Sequence, residues 1–307
     1  MNHEDLPSLA LVNRFFFDVA TPWIWRDLTV GFTAMTRFDY MARRLNTLLD
    51  KLEQGMKVTD LHFIIERRVP ETQLNCFRTG VRKLLARSSD LKSLTLCDWH
   101  GLLDLPLMIS NICPSIRLVE LNIHFAISPV HWDFLLSQPT IRRLVLNCHF
   151  NLSQVPDYRS SHIPTGVLPQ LEVLFAPIDV VTRLLPGRPV RYVGIWFLSS
   201  LEFNSLWQVI AESTATLTAL SIGTEAPTEL PALFEQLPSQ TPSLRFLGII
   251  THPHLGRQTV TFPMDGLAPL YSLEMLECMR WDLAPATPGF DFESCALCGT
   301  VLTTCAL

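Results

Sequence analysis

Leu217-Thr218-Ala219-Leu220-Ser221-Ile222, repeated 27 residues later as Leu244-Arg245-Phe246-Leu247-Gly248-Ile249, decides how the rest of the chain is read. The phrase is an apolar residue, two variable ones, an apolar residue, one variable, and a third apolar residue. Working outward, the same phrase is found at Val58-Leu61-Phe63, Leu91-Leu94-Leu96, Leu118-Leu121-Ile123, Ile141-Leu144-Leu146, Leu171-Leu174-Ala176, Val190-Val193-Ile195 and Leu273-Leu276-Cys278. The central residues of the nine copies follow one another at 33, 27, 23, 30, 19, 27, 27 and 29 residues. In each copy the last two apolar residues alternate with variable ones, the period-two signal of a strand with one buried face.

Several segments between the phrases have the other period. Phe38, Met41, Leu45, Leu48 and Leu52 lie three or four apart, and Gly55 is placed to end that helix. Leu74, Phe77, Val81, Leu84 and Leu85 predict a second helix, and Leu230, Leu233, Phe234 and Leu237 a shorter third. A strand followed by a helix or turn at a near-constant interval predicts a stack of units, each burying its leucines against its neighbours. Residues 58 to 281 thus resemble the leucine-rich-repeat family, which implies an α/β solenoid with a curved parallel sheet inside and helices and turns outside. The family's corner asparagine or cysteine is missing, for those sites read Trp99, Ala126, His149, Asp179, Glu225, His252 and Trp281. Irregular stacking is therefore expected. Pro114, Pro139, Pro169, Pro189 and Pro242 stand just ahead of strands, where a missing N–H is tolerated.

The N-terminal stretch from Asp5 to Leu28 reads differently. Leu11, Val12, Arg14, Phe16, Ala20, Pro22, Trp25 and Leu28 fit the second half of an F-box, as found in fungal F-box proteins: a leucine-valine-x-arginine-x-aromatic helix, an alanine-x-proline turn, then a tryptophan. The resemblance implies a substrate receptor of a Skp–cullin–F-box ubiquitin ligase, with Leu6, Pro7, Leu9, Leu11, Val12, Phe16 and Trp25 against the Skp-type adaptor and the repeats holding a protein substrate. The family's leucine-proline-x-glutamate helix would lie upstream of Leu6, so weakened or lost adaptor binding is expected of this chain. The alternative is an adaptor-independent protein-binding scaffold. The expected division is residues 1–30 for the F-box-like segment, 31–281 for the repeats, and 282–307 for a tail that either caps the solenoid or belongs to a longer design.

Composition narrows the classes. The 307 residues are 48% hydrophobic, enough for a sizeable core, and 29 acidic against 24 basic residues give a net charge of -5, which argues against a nucleic-acid surface. No apolar run approaches the roughly 18 residues of a membrane span. The acidic opening MNHEDLPSLA differs from a secretory signal, and eight scattered cysteines read as reduced thiols. An intracellular protein, cytoplasmic or nuclear, is expected, without membrane contact.

No phosphate loop, dinucleotide fingerprint, zinc helix or nucleophile elbow is present, so no catalytic residue, cofactor or metal is expected. Cys295 and Cys298 have metal-like spacing, with only Cys305 near them, short of four ligands. His252-Pro253-His254 is explained by a corner turn. Arg67, Arg68, Arg78, Arg82, Lys83, Arg87 and Lys92 form a basic run read as a solvated helix face. The concave face is the better candidate. Beside the buried leucines lie Ser93, Thr95, Glu120, Asn122, Arg143 and Val145 early in the chain. Later copies place Val173, Phe175, Tyr192, Gly194, Trp196, Phe246, Ile250, Met275 and Met279 there. Phe175, Tyr192, Trp196, Phe246, Ile250 and Met275 are predicted to form the partner site, because contiguous exposed aromatics mark contact surfaces. The competing expectation is that the C-terminal tail covers them as part of the core.

Overall fold

A computed structural model of the chain describes residues 26–32, 38–65, 70–98, 116–124, 134–135, 137–146, 166–196, 203–224, 230–251 and 264–283. The chain forms two compact units, residues 1–161 with 166–168 and residues 162–165 with 169–307. Each is an α/β unit built on parallel strands.

In the first unit the order is β1 (Asp27–Phe32), α1 (Phe38–Glu53), β2 (Asp60–Ile65), α2 (Glu71–Arg87), β3 (Ser93–Asp98), β4 (Glu120–His124) and β5 (Arg143–Leu146). Neighbouring strands are parallel and follow chain order. Their register aligns the centres of the phrases: Leu28 with Leu61, Leu61 with Leu94, Leu94 with Leu121 and Leu121 with Leu144. Leu28 is thus the centre of a further copy, and β1 runs across the boundary expected at residue 30. One face of the sheet carries Leu61, Phe63, Leu94, Leu96, Leu121, Ile123, Leu144 and Leu146, all without solvent contact. Helix α2 turns Leu74, Phe77, Val81, Leu84 and Leu85 inward, and Phe77 meets Phe63 edge-on at 6.3 Å. The apolar stripe of the helix and the period-two face of the strands therefore form one core.

The second unit runs β6 (Val173–Pro177), α3 (Ile178–Leu184), β7 (Tyr192–Trp196), α4 (Phe203–Ala211), β8 (Ala219–Thr224), α5 (Leu230–Gln240), β9 (Phe246–Thr251), a 3-10 helix (Met264–Ser272) and β10 (Cys278–Leu283). Leu174, Val193, Leu220 and Leu247 align across β6 to β9. All four predicted apolar residues of α5 are buried.

The last phrase is corrected by the sheet. Met279 pairs with Leu247 and Trp281 with Ile249, so the tenth copy is Leu276-Met279-Trp281, three residues beyond Leu273-Leu276-Cys278. In sequence both frames fit the pattern. Backbone bonding agrees with the second: the Arg245 carbonyl accepts from the N–H groups of Glu277 and Cys278, as the Thr218 carbonyl accepts from those of Arg245 and Phe246. Of the corner sites, Asp179 falls in the first turn of α3 and Trp281 inside β10, while Trp99, Ala126, His149, Glu225 and His252 lie outside the described residues. So do the F-box-like residues before Arg26, including Leu6, Pro7, Leu9, Leu11, Val12, Phe16 and Trp25. Residues after Leu283 lie outside as well.

Polar side chains are buried in the turns ahead of the strands. Ser88, Gln138 and Thr241, each three residues before the first apolar residue of a phrase, are buried. Ser88 Oγ donates to the Leu84 carbonyl at 2.8 Å, Thr241 Oγ1 to that of Leu237 at 3.0 Å, and Gln138 Oε1 accepts the Leu118 N–H at 3.0 Å. The Gln138 bond satisfies the Leu118 N–H, while the Leu84 and Leu237 carbonyls, which also accept the backbone N–H of Ser88 and Thr241, give the two buried hydroxyls an acceptor.

Candidate functional site

In each unit the helices lie on the leucine side of the strands, and the residues on either side of each central leucine form the opposite, open face. In the first unit the residues just before the centres are Asp27, Asp60, Ser93, Glu120 and Arg143; those just after are Thr29, His62, Thr95, Asn122 and Val145. This surface is polar and cross-linked. His62 Nε2 lies 3.4 Å from Asp27 Oδ1, and Arg143 Nε lies 3.3 Å from Glu120 Oε1. Asn122 Nδ2 donates to Thr95 Oγ1 at 3.2 Å and to Glu120 Oε1 at 3.3 Å, and only 1% of Asn122 is exposed. Side chains so engaged have few groups to offer a ligand.

The open face of the second unit is aromatic. Register places Tyr192 and Phe246 on either side of Ala219, and Phe175 and Ser221 on either side of Gly194. Large side chains lean over the small ones. The Phe175 ring meets Tyr192 edge-on at 4.8 Å, and Tyr192 meets Phe246 at 6.3 Å. A methyl group at Gly194 would run into the Phe175 ring, so that glycine is what allows the ring to lie across β7. The Tyr192 hydroxyl and Ser221 Oγ are 3.2 Å apart, which fixes the far end of the tyrosine. Aromatic pairs of this kind contribute about 0.5–1.5 kcal/mol each beyond burial.

The predicted site residues divide. Tyr192 and Phe246 are half-buried members of the cluster. Phe175 belongs to it but is 9% exposed, a support beneath its neighbours. Ile250 lies on the same face and is buried. Trp196 ends β7, and only its backbone is described. Met275 is a correction: it stands in the turn before β10, 51% exposed, and the shift of frame gives the open-face positions of β10 to Cys278 and Arg280. Met279 aligns with Leu247 on the leucine side. Gly194, Ala219, Ser221 and Gly248 were not foreseen as site residues. The available signal was a small residue between two aromatics at the same strand position in successive copies.

Among the described residues no group of three metal-ligating side chains is present, and no helix is long and apolar enough to cross a membrane. Of the predicted basic run, Arg78 pairs with Glu71 at 2.9 Å and Arg87 with Glu53 at 2.6 Å, as on a solvated helix face. Burial pushes the Arg188 guanidinium below its usual pKa, yet arginine stays charged at neutral pH. It donates to the Pro186 carbonyl at 2.9 Å in the turn before β7, a structural place. Searched against protein-family models and curated proteins, the chain matches none.

Proposed function

We propose that this chain is a protein-binding leucine-rich-repeat solenoid that holds its partner on the open face of the second unit, as the substrate receptor of a Skp–cullin–F-box ubiquitin ligase. The observation that carries the binding reading is the Phe175–Tyr192–Phe246 cluster, because two half-buried rings on a third, set among small residues, form an apolar surface that suits a partner side chain. The ligase reading is supported by the F-box-like residues Leu11 to Trp25 ahead of the repeats. In such a role the chain supplies proximity and no catalytic group of its own.

Phe246→Ala tests the binding reading. Crosslinking of partners in cells expressing the full chain is expected to lose them with this variant, while the melting temperature moves by a few degrees at most. Retention of the same partners would overturn the face assignment. Calorimetric titration of the full chain with purified Skp-type adaptor tests the ligase reading. Weak binding, micromolar or looser, that is lost in Val12→Asp is expected; absence of binding leaves an adaptor-independent scaffold.

A further inference from the structure

The start of the open face in the second unit offers more than apolar area. Arg191 and Arg245 directly precede Tyr192 and Phe246 at the starts of β7 and β9, and both are exposed. Their guanidinium groups differ in state. Arg245 Nε donates to Glu277 Oε1 at 2.9 Å, so its charge is compensated. Arg191 commits its backbone N–H to the Glu172 carbonyl and its own carbonyl to the N–H groups of Thr218 and Ala219. Its side chain makes no ion pair or hydrogen bond among the described residues.

An exposed guanidinium on the residue directly ahead of a half-buried tyrosine is complementary to a ligand with one apolar side chain and one carboxylate. We propose that this corner reads an acidic protein segment, in which a large apolar residue packs on Tyr192 and Phe246 and an aspartate or glutamate one or two positions away pairs with Arg191. The inference rests on the protein-binding reading above and adds the class of segment. The planar fork of arginine matches a carboxylate in two hydrogen bonds, which fixes orientation as well as charge. A cationic ligand is disfavoured on these rings, because Arg191 repels it. A polyanion is disfavoured too, because a single unpaired cation at this corner of a chain of net charge -5 gives it little to hold.

The test is selection of random seven-residue peptides displayed on phage against the full chain, followed by titration of synthetic peptides made with glutamate, lysine or phosphoserine at the selected acidic position. Arg191 is exposed, so Arg191→Ala and Arg191→Glu are expected to melt as the parent does. Expected are segments with Leu, Ile, Phe or Trp within two residues of Asp or Glu. Loss of roughly tenfold in affinity is expected with Arg191→Ala, and preference for the lysine peptide with Arg191→Glu. The inference is overturned if the selected segments lack acidic residues, if Arg191→Glu binds the glutamate peptide undiminished, if only the phosphoserine peptide binds, or if nothing is selected. Apolar segments that bind independently of Arg191 but are lost with Phe246→Ala remove this inference alone. Binding that survives Phe246→Ala removes the assignment of the face as well.

Discussion

Gly194 shows how one missing carbon shapes a surface three strands wide. A Cβ there would occupy the space of the Phe175 ring, so Gly194→Ala must swing that ring off its contact with Tyr192. The expected cost is about 1–3 kcal/mol, the usual range for overpacking, read as a lower urea midpoint with unchanged slope. Phe175→Ala in the same chain removes the obstacle. The double variant is therefore expected to be less destabilised than the two single effects combined, and simple additivity would show that ring and glycine do not compete for space. At the other end of the cluster, Tyr192→Phe leaves Ser221 Oγ without the hydroxyl 3.2 Å away while keeping the ring. Thermal melts are expected to register about 0.5–1.5 kcal/mol, the net worth of one hydrogen bond. The aromatics themselves were visible in the sequence. Which of them stay wet was not, because Phe175 and Tyr192 differ in burial through what stands opposite them on the next strand.

The elements most readable from sequence are those whose period runs long enough to be unambiguous. Helix α1 was marked by apolar residues three or four apart and by Gly55, and it ends as the glycine requires. Gly55 has φ +84, the Met56 N–H reaches the Lys51 carbonyl at 3.1 Å, and the Gly55 N–H reaches that of Leu52 at 3.0 Å. Nothing stands within 4 Å of a Cβ built there, so the cost of Gly55→Ala is backbone strain alone. About 1 kcal/mol is expected by chemical denaturation, and an unchanged midpoint would contradict the left-handed turn. Helices α3 and α4 escaped the sequence reading for opposite reasons. The first is seven residues long, too short to show a stripe; the second has one, Phe203, Leu206, Trp207 and Ile210 at helical spacing, but it follows the apolar run from Val193 to Leu201 and does not stand out from it. The misplaced last phrase has a similar origin. Leu273, Leu276, Cys278, Met279 and Trp281 support two frames, and only pairing with β9 chooses between them.

Within the first unit, five strands share one register although their centres are 23 to 33 residues apart, so the repeat is a regular interface with irregular connections. The regularity is carried by the backbone. The Arg26 carbonyl accepts from Thr59 and Asp60, the Thr59 carbonyl from Lys92 and Ser93, the Lys92 carbonyl from Val119 and Glu120, and the Val119 carbonyl from Arg142 and Arg143. Each strand start is thereby tied to the preceding copy, and side-chain identity there is nearly free, so this bonding leaves no mark on the amino-acid pattern. A stack held by adjacent contacts should respond to damage locally, with stability a sum of unit and neighbour terms. Leu94 is fully buried between Leu61 and Leu121, and Leu94→Ala should cost about 2–5 kcal/mol at its own strand. Native-state hydrogen exchange is then expected to show the largest loss of protection in β3, a smaller loss in β2 and β4, and less than about 0.5 kcal/mol in β1 and β5, which do not touch the cavity. Equal loss across all five strands would mean that the unit opens as one cooperative block, and nearest-neighbour stacking would no longer describe what holds it together.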